Sequence, residues 1–288
     1  MKNYKFKSLK VFGSDEWLAN RKREYRSVFD ESELSYLSAE FAFYNKRFDE
    51  SDWDANISLR AYLLKGDERT EVCAQDEVRK ILHTENIVYV NKGWGMITAG
   101  VFWKAGEYMW EAMIDGEVVG TKRFYVENAG KVSAQNNPYF DVKSVRFYTG
   151  DFNAVSDPNK VYLKQINRDT TPYLYIEFIA ENKLNFSWNC EIVFNWYNAS
   201  GLLKARIERY RKISAVEPEQ LIIFNEGWGN DIPGTWRDNS YRLEVVFMDT
   251  VIAIVQLPTG DMEIEGNVET SAIPHAYVSS SLAPEENS

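Results

Sequence analysis

Short segments in which apolar and polar residues alternate run along most of the chain. From Leu37 to Phe43 every odd position is apolar, and from Leu174 to Ala180 every even position is apolar. A period of two in segments rich in Val, Ile, Phe, Tyr and Trp is typical of β-strands with one buried face. Turn signals separate these segments, and Asp115-Gly116 predicts a tight hairpin.

The alternating pattern occurs twice. Gly93-Trp94-Gly95 recurs as Gly227-Trp228-Gly229, 134 residues later, and neighbouring segments match at offsets of 133 to 137, among them Ile57 with Cys190. Such a period is too long for a solenoid repeat and is the size of one domain. The sequence therefore predicts an all-β chain of two tandem immunoglobulin-like β-sandwich domains from an internal duplication, with about seven strands each. The predicted bounds are 1–128 and 142–260, with a linker at 129–141 and a tail at 261–288.

Three local features depart from this pattern. Asp15 to Arg26, with Ser14 as N-cap, and Asp76 to His83 are predicted as short helices. Asp249-Thr250 lacks the glycine of Asp115-Gly116, which predicts a different type of turn in the second half. The tail is rich in Ser, Glu and Pro and is predicted to have little structure of its own.

Charge is distributed unevenly along the chain. The net charge is −10, and the last 28 residues hold six acidic and no basic residues, so the two halves are close to neutral. This argues against nucleic acid as a partner. A local basic group on one predicted strand is interpreted as a solvated face, with a partner-binding role as the alternative: Arg206, Arg209, Arg211 and Lys212.

Cellular setting is indicated by what the chain lacks. It contains no secretory signal and no apolar run long enough to span a bilayer, so no membrane contact is predicted. Two cysteines, Cys73 and Cys190, occupy non-equivalent places in the two halves, which argues against a disulfide framework. A reducing, cytoplasmic setting is the simplest inference, with Cys190 acting as a small core residue.

Few residues are candidates for catalysis. The chain has two histidines, His83 and His275, and no nucleophile elbow, phosphate loop or paired cysteines at metal spacing. We therefore predict a protein that is not an enzyme and needs no cofactor or metal. The acidic segment with Asp49, Asp52, Asp54 and Asn56 suggests calcium as an alternative, but the glycine and the glutamate of an EF-hand loop are missing. Alternation places the acids of paired strands on outward faces: Glu40, Glu177, Glu111 and Glu244.

Aromatic residues make up 15% of the chain, and no candidate catalytic or metal site in the sequence accounts for them. Glycines flank Trp94 and Trp228. Trp103 follows the first Gly-Trp-Gly triplet, and Trp236 follows the second. These four tryptophans are candidate partner-binding anchors, or alternatively they close the end of each sandwich. The tyrosines that follow, Tyr108 and Tyr241, are predicted to pack as tyrosine corners.

The end of the second half resembles a known kind of module. Gly227-Trp228-Gly229 is followed by Pro233-Gly234-Thr235-Trp236, then by Tyr241 in an alternating strand. This order is similar to uncharacterised bacterial immunoglobulin-like sandwich modules with Gly-Trp-Gly, Pro-Gly-x-Trp and Gly-x-Tyr signatures, which occur beside ATPase or signalling domains. Asn239 replaces the Gly-x-Tyr glycine, and Ala99 stands in the first half where Pro233 stands in the second. The resemblance implies an accessory role with an ATPase or signalling component as partner.

Three hypotheses of function follow. The first is a non-catalytic protein–protein interaction or scaffold protein. The second is a carbohydrate-binding protein that uses exposed Trp and Tyr side chains. The third is a glycan-acting enzyme, which requires two carboxylates about 5–10 Å apart in a cleft.

Overall fold

The computed structural model describes residues 2–15, 23–156, 158–215, 220–232 and 234–270. The chain divides into two compact units, Met1–Lys131 (unit 1) and Val132–Ser288 (unit 2). Within the described ranges there are strands, turns and two short 3-10 segments, Glu31–Glu33 and Ala154–Ser156, and no α-helix. The all-β prediction is confirmed. None of the described segments is a helix that could cross a membrane.

Unit 1 contains two sheets. One has three strands in the order β1-β3-β6, and the other has five in the order β2-β8-β7-β4-β5. The strands are β1 (Tyr4–Ser14), β2 (Val28–Asp30), β3 (Tyr36–Asn45), β4 (Trp53–Lys65), β5 (Glu68–Ile81), β6 (Ile87–Gly95), β7 (Gly106–Ile114) and β8 (Glu117–Glu127).

Unit 2 also contains two sheets. One has three strands in the order β14-β11-β9, and the other has six in the order β13-β12-β15-β16-β10-β17. The strands are β9 (Phe140–Gly150), β10 (Leu163–Asn167), β11 (Tyr173–Asn182), β12 (Trp188–Asn198), β13 (Leu203–Ile213), β14 (Leu221–Gly229), β15 (Ser240–Phe247), β16 (Thr250–Gly260) and β17 (Ile264–Glu265).

The two units share one topology. Each of β1 to β8 has a counterpart in β9 to β16 with corresponding neighbours, and β17 is an additional neighbour of β10. The pairs β2–β8 and β10–β16 are both parallel. β-Bulges recur at equivalent places, at Lys7 and Lys143 in the small sheets and at Val119 and Ile252 in the large sheets. This agreement in pairing and bulges is compatible with an internal duplication.

The core of each unit lies between its sheets. In unit 1, Leu37 and Phe41 of the small sheet pack with Leu59 and Trp110 of the large sheet. The corresponding positions of unit 2 are also fully buried: Leu174, Phe178, Phe194 and Leu243. The alternating positions predicted to be buried are therefore the inward faces of two β-sandwiches.

Both helix predictions concern segments that the structure describes at least in part. Asp76 to His83 was expected to be helical, but Asp76 to Ile81 belong to edge strand β5, which pairs with β4. The apolar residues spaced like a helix stripe include Val78, which is largely exposed and packs on no core. Of the segment Asp15 to Arg26, residues 16–22 lie outside the described residues, Ser14 ends β1, and Tyr25 forms a β-bridge with Phe12.

One detail of the internal match is corrected by the strand pairing. Ile57 lies opposite Ile114 and Ile192 lies opposite Phe247, the last residues before the two hairpin turns. The counterpart of Ile57 is therefore Ile192, two residues beyond Cys190. An error of two residues leaves every side chain on its predicted face, so alternation cannot reveal it.

The second hairpin turn is also corrected. It consists of Met248 and Asp249, which have φ of 45° and 59°, and Asp115 and Gly116 have φ of 51° and 79°. Both turns have positive φ at both central residues, so the prediction of a different turn type was wrong. The rigid strand pairing on either side holds two non-glycine residues in the left-handed region.

The predicted linker and tail contain some strand structure. Strand β9 begins at Phe140, inside the segment 129–141, and Ile264–Glu265 of the tail pairs with β10. Residues 271–288, with His275, lie outside the described residues.

Both cysteines are buried free thiols, and burial raises the pKa of Cys73 to about 12. Because the thiolate is the reactive form, we expect neither thiol to react with Ellman's reagent in the native chain at pH 8. Both should react at once in guanidinium. Reaction of one thiol in the folded protein, at the rate seen in denaturant, would contradict this burial.

Candidate functional site

The two Gly-Trp-Gly triplets end equivalent strands, β6 and β14. Trp94 lies opposite Leu37, and Trp228 lies opposite Leu174. After each triplet the chain passes close to the backbone that enters the middle strand. A Cβ on Gly95 would lie 2.0 Å from the Ser35 oxygen, and one on Gly229 would lie 2.2 Å from the Pro172 oxygen. The last glycine of each triplet is therefore required by this close approach.

The four candidate tryptophans lie in or against the cores. Trp103 and Trp236 are fully buried, which rules out a role for either as a surface anchor. Trp94 is partly buried against the core of unit 1, and its carbonyl accepts a hydrogen bond of 2.8 Å from Trp103 Nε1. Trp228 lies 4.8 Å from Trp236 between ring centroids. Pro233, part of the Pro-Gly-x-Trp match, lies outside the described residues.

Tyr108 and Tyr241 form the predicted corners. The Tyr108 hydroxyl donates to the Lys104 oxygen at 2.9 Å, and the Tyr241 hydroxyl donates to the Thr235 oxygen at 3.4 Å. Each ring packs against the buried tryptophan that precedes it, Trp103 or Trp236. These contacts fix the ends of the loops that follow the two triplets.

The loop after the first triplet, residues 96–101, presents apolar side chains on a tethered backbone. Met96 N donates to the Ser35 oxygen at 3.0 Å, and Gly100 N donates to the Leu34 oxygen at 3.0 Å. The Ser35 hydroxyl donates to the Ile97 oxygen at 3.1 Å. Nevertheless Ile97 is 81% exposed, and Met96 and Val101 are also exposed. We call residues 96–101 the apolar loop.

Unit 2 carries a related feature at the same end. Ile232 is 73% exposed, and the loop backbone is held by a hydrogen bond of 3.1 Å from Asn230 N to the Pro172 oxygen. Nearby, the exposed ring of Phe152 lies 5.7 Å from that of Tyr173 between centroids, and the Tyr173 hydroxyl donates to Asp231 at 3.1 Å. Sequence reasoning looked at the tryptophans and missed these neighbours, although the Met96-Ile97 pair directly after a turn glycine was a visible signal.

The candidate arginines lie on edge strand β13 and bond within unit 2. Arg206 pairs with Glu208 at 2.7 Å, and Arg209 pairs with Glu226 of β14 at 2.5 Å. Arg211 donates to the Ile223 oxygen at 3.2 Å, as Arg79 of unit 1 donates to the Tyr89 oxygen at 2.7 Å. Arg209 and Arg211 thus connect the two sheets along one edge of the sandwich.

The acidic segment of unit 1 binds protein groups. Asp52 Oδ1 accepts hydrogen bonds from His83 N at 2.8 Å and contacts His83 Nδ1 at 2.7 Å, and Lys80 lies 3.1 Å from Oδ2. The backbone and side-chain bonds from His83 hold the pKa of Asp52 well below its usual range. The backbone N and the side-chain Nδ2 of Asn56 donate hydrogen bonds to Asp115 Oδ1. Within the described ranges, no cluster of His, Cys, Asp or Glu side chains could hold a metal ion, and this includes the segment around Asp54.

The paired acids of the small sheets are buried, which corrects the expectation of solvent-side carboxylates. Glu40 and Glu177 are 5% and 7% exposed. Both lie on outward faces, but each is covered by a segment that follows the first strand of its unit. The covering residues are Arg23 and Tyr25 in unit 1 and Lys160 and Tyr162 in unit 2.

The carboxylate site of unit 2 is fully paired. Glu177 accepts from Lys160 Nζ at 2.6 Å and from the Tyr162 hydroxyl at 2.6 Å, and Arg146 lies 4.0 Å away. Burial opposes the charged form of Glu177, but these two hydrogen bonds and the nearby cations outweigh it and lower its pKa. Lys160 also donates to Asn225 at 2.8 Å.

The equivalent site of unit 1 opens into a cleft of about 590 Å³ on the outer face of the small sheet. Its lining consists of Lys7, Ser8, Lys10, Arg23, Tyr25, Glu40 and Tyr89. Arg23 forms an ion pair with Glu40. Lys7 Nζ donates to the Tyr89 hydroxyl at 2.9 Å, and Lys10 Nζ lies 4.5 Å from the centre of the Tyr25 ring. One carboxylate lines this cleft, whereas glycoside hydrolysis by acid pairs needs two.

Comparisons with known proteins give likeness in structure alone. No protein-family model matches the chain, and no curated protein matches it. Among solved structures, the chain is similar to red sea bream transglutaminase, with 10% identity and a TM-score of 0.28. That match covers 90% of this chain, which spans about a third (32%) of the transglutaminase chain.

Proposed function

We propose that this chain is a non-catalytic cytoplasmic interaction protein, built of two immunoglobulin-like sandwiches that arose by duplication. The observation that carries the proposal is the apolar loop of unit 1. Its backbone is fixed by hydrogen bonds to Leu34 and Ser35, while Ile97 points its side chain into solvent. Fixed exposed apolar side chains cost little entropy on binding and are typical of protein-binding surfaces.

Strand order supports the immunoglobulin-like part of the proposal. In chain order, β1, β3 and β6 take the places of strands A, B and E of an immunoglobulin sheet, and β4, β5, β7 and β8 take those of C, C′, F and G. The apolar loop then joins E to F. The resemblance of the Gly-Trp-Gly region to bacterial modules suggests an ATPase or signalling component as the partner, and two buried free cysteines are compatible with a reducing setting.

The proposal is tested by an Ile97→Asp substitution in the full chain. A charge at the centre of an apolar interface should weaken partner recovery from the native cell by about tenfold or more. Val78→Asp is the matched control, because Val78 is 76% exposed on unit 1, against 81% for Ile97. Quantitative affinity capture with tagged wild-type and variant chains measures the recovery.

Two outcomes would count against this function. One is wild-type chain that recovers no stoichiometric partner and shows no self-association by light scattering. The other is equal loss of the partner in the Ile97→Asp and Val78→Asp variants, since that would place the contact elsewhere or indicate a general effect of charge.

A further inference from the structure

The cleft of unit 1 contains more positive charge than its own residues neutralise. Arg23 and Glu40 compensate each other. Lys7 and Lys10 have no carboxylate within 4.0 Å among the described residues. Their ammonium groups lie against aromatic rings, Lys7 at 5.1 Å from the centre of Tyr89 and Lys10 at 4.5 Å from that of Tyr25. Aromatic faces position a cation but leave its full charge in place.

Unit 2 shows the same site with each cation near a carboxylate. The counterpart of Lys7 is Lys143, also a bulge residue, and it forms an ion pair with Glu181. The counterpart of Lys10 is Arg146, which lies 4.0 Å from Glu177. Every cation at this site therefore faces a carboxylate.

Two substitutions between the units account for the difference at Lys7. Tyr44 of unit 1 stands where unit 2 has Glu181, next to the equivalent asparagines of the two middle strands. Tyr89 stands where unit 2 has Ile223, since they lie opposite Ala42 and Ile179 on the equivalent strands. In unit 1, Lys7 therefore lies over two tyrosine rings instead of beside an acid, at 5.8 Å from the Tyr44 centre.

We propose that the unit 1 cleft binds an oxyanion, a carboxylate or a phosphate, through Lys7 and Lys10. The bulge at Lys7 directs this side chain toward the cleft, where Lys10 also lines the wall. Each ammonium has three donors, and Lys7 uses one of them on Tyr89. The remaining donors can form short charge-assisted hydrogen bonds to oxyanion oxygens, and the Arg23–Glu40 pair lines the same cleft. The proposal does not depend on the apolar loop or its partner.

The binding experiment uses the full-length chain and four probes in isothermal titration calorimetry. They are a hexaglutamate peptide, a phosphoserine peptide of matched length, inorganic phosphate and a neutral hexaglutamine peptide. We expect saturable binding of at least one anionic probe, weaker at 0.5 M than at 0.05 M NaCl, and none of hexaglutamine. If hexaglutamate binds more tightly than the phosphoserine peptide, the oxyanion is a carboxylate, and the reverse order indicates a phosphate. Absence of binding by all three anionic probes would overturn the proposal.

Variants locate the site. Lys7→Ala and Lys10→Ala should each lower the affinity for the anionic probe about tenfold, the equivalent of about 1.4 kcal/mol. Tyr44→Glu, which introduces the acid of unit 2, should weaken it to a similar degree by pairing with Lys7. The matched control is Lys143→Ala in unit 2, with no change expected, and Ile97→Asp should also bind normally. Equal loss in Lys7→Ala and Lys143→Ala, with native far-UV spectra, would show that binding follows net charge and refute the site.

Discussion

A Gly229→Ala substitution is expected to destabilise unit 2 by about 3 kcal/mol or more, at the upper end of the range for overpacking. The added Cβ would lie 2.2 Å from the Pro172 oxygen and 2.6 Å from the Tyr173 Cα. Both are backbone atoms at the start of β11, where Tyr173 lies opposite Gly229 and the Pro172 oxygen accepts a hydrogen bond from Asn230 N. No side-chain rotation can relieve such a contact, so the strand end must separate.

The same result is expected for Gly95→Ala in unit 1. Its Cβ would lie 2.0 Å from the Ser35 oxygen, and its φ of 154° is itself rare for residues with a side chain. Because Met96 N donates to the same Ser35 oxygen, displacement of the strand end should also release the apolar loop. Gly95→Ala should therefore weaken partner binding as well as folding.

Urea unfolding and hydrogen exchange measure these effects, with exchange assigning the loss to one unit. Gly201→Ala is the control in unit 2 and Gly66→Ala in unit 1. Both have positive φ, but a Cβ would meet nothing within 4 Å. The controls should cost about 1 kcal/mol, the ordinary penalty for a non-glycine residue in that region. If Gly229→Ala were no more destabilising than Gly201→Ala, this result would contradict the close approach of Gly229 to the Pro172 oxygen.

The strands and the sequence match between the two halves could be recognised because both depend on local patterns. Leu37 to Phe43 alternates in the sequence, and its odd positions are buried in the structure. The strand β5 could not be recognised, because it is an edge strand with one neighbour and only two of its 14 side chains are buried, so its sequence need not alternate between apolar and polar residues. Its charged residues and the spacing of Val78, Ile81 and Leu82 fit a helix equally well.

The carboxylate sites show a second limit. Alternation correctly placed Glu40 on an outward face, but it could not show that Arg23 and Tyr25 cover that face. The cover comes from residues that are distant from Glu40 in the sequence, and such a contact depends on tertiary structure. Tyr25 and Tyr162 occupy equivalent places, since Tyr25 forms a β-bridge with Phe12 and Tyr162 forms one with Tyr148.

A buried hydrogen-bonded pair, Asn182 with Trp188, connects the two sheets of unit 2. Asn182 Oδ1 accepts from Trp188 Nε1 at 3.1 Å, and Asn45 Oδ1 accepts from Trp53 Nε1 at 3.0 Å in unit 1. Each asparagine ends the middle strand of its small sheet, and each tryptophan begins the next strand. The pair spans the two sheets of a sandwich, so we expect it to contribute to their alignment.

Asn182→Leu is expected to destabilise unit 2 by about 3 kcal/mol, because it replaces a buried side chain that makes hydrogen bonds with an apolar side chain of similar size. Trp188 Nε1 would lose its acceptor, and so would Leu184 N, which now donates to Asn182 Oδ1 at 3.2 Å. The Leu184 oxygen would lose its donor, Asn182 Nδ2, at 2.6 Å. Since Trp188 is fully buried among Tyr139, Phe140 and Phe247, water cannot replace the lost acceptor.

A double-mutant cycle with Trp188→Phe separates this cause from a general loss of packing. Phenylalanine has no N–H group, so Asn182→Leu should cost about 1–3 kcal/mol less in the Trp188→Phe chain than in the wild type. Urea unfolding of the four chains gives the coupling free energy. Additive effects would mean that the indole N–H is satisfied elsewhere and that the pair does not hold the two sheets together. A positive coupling, repeated for Asn45 and Trp53, would show that the two units use the same polar contact to align their sheets.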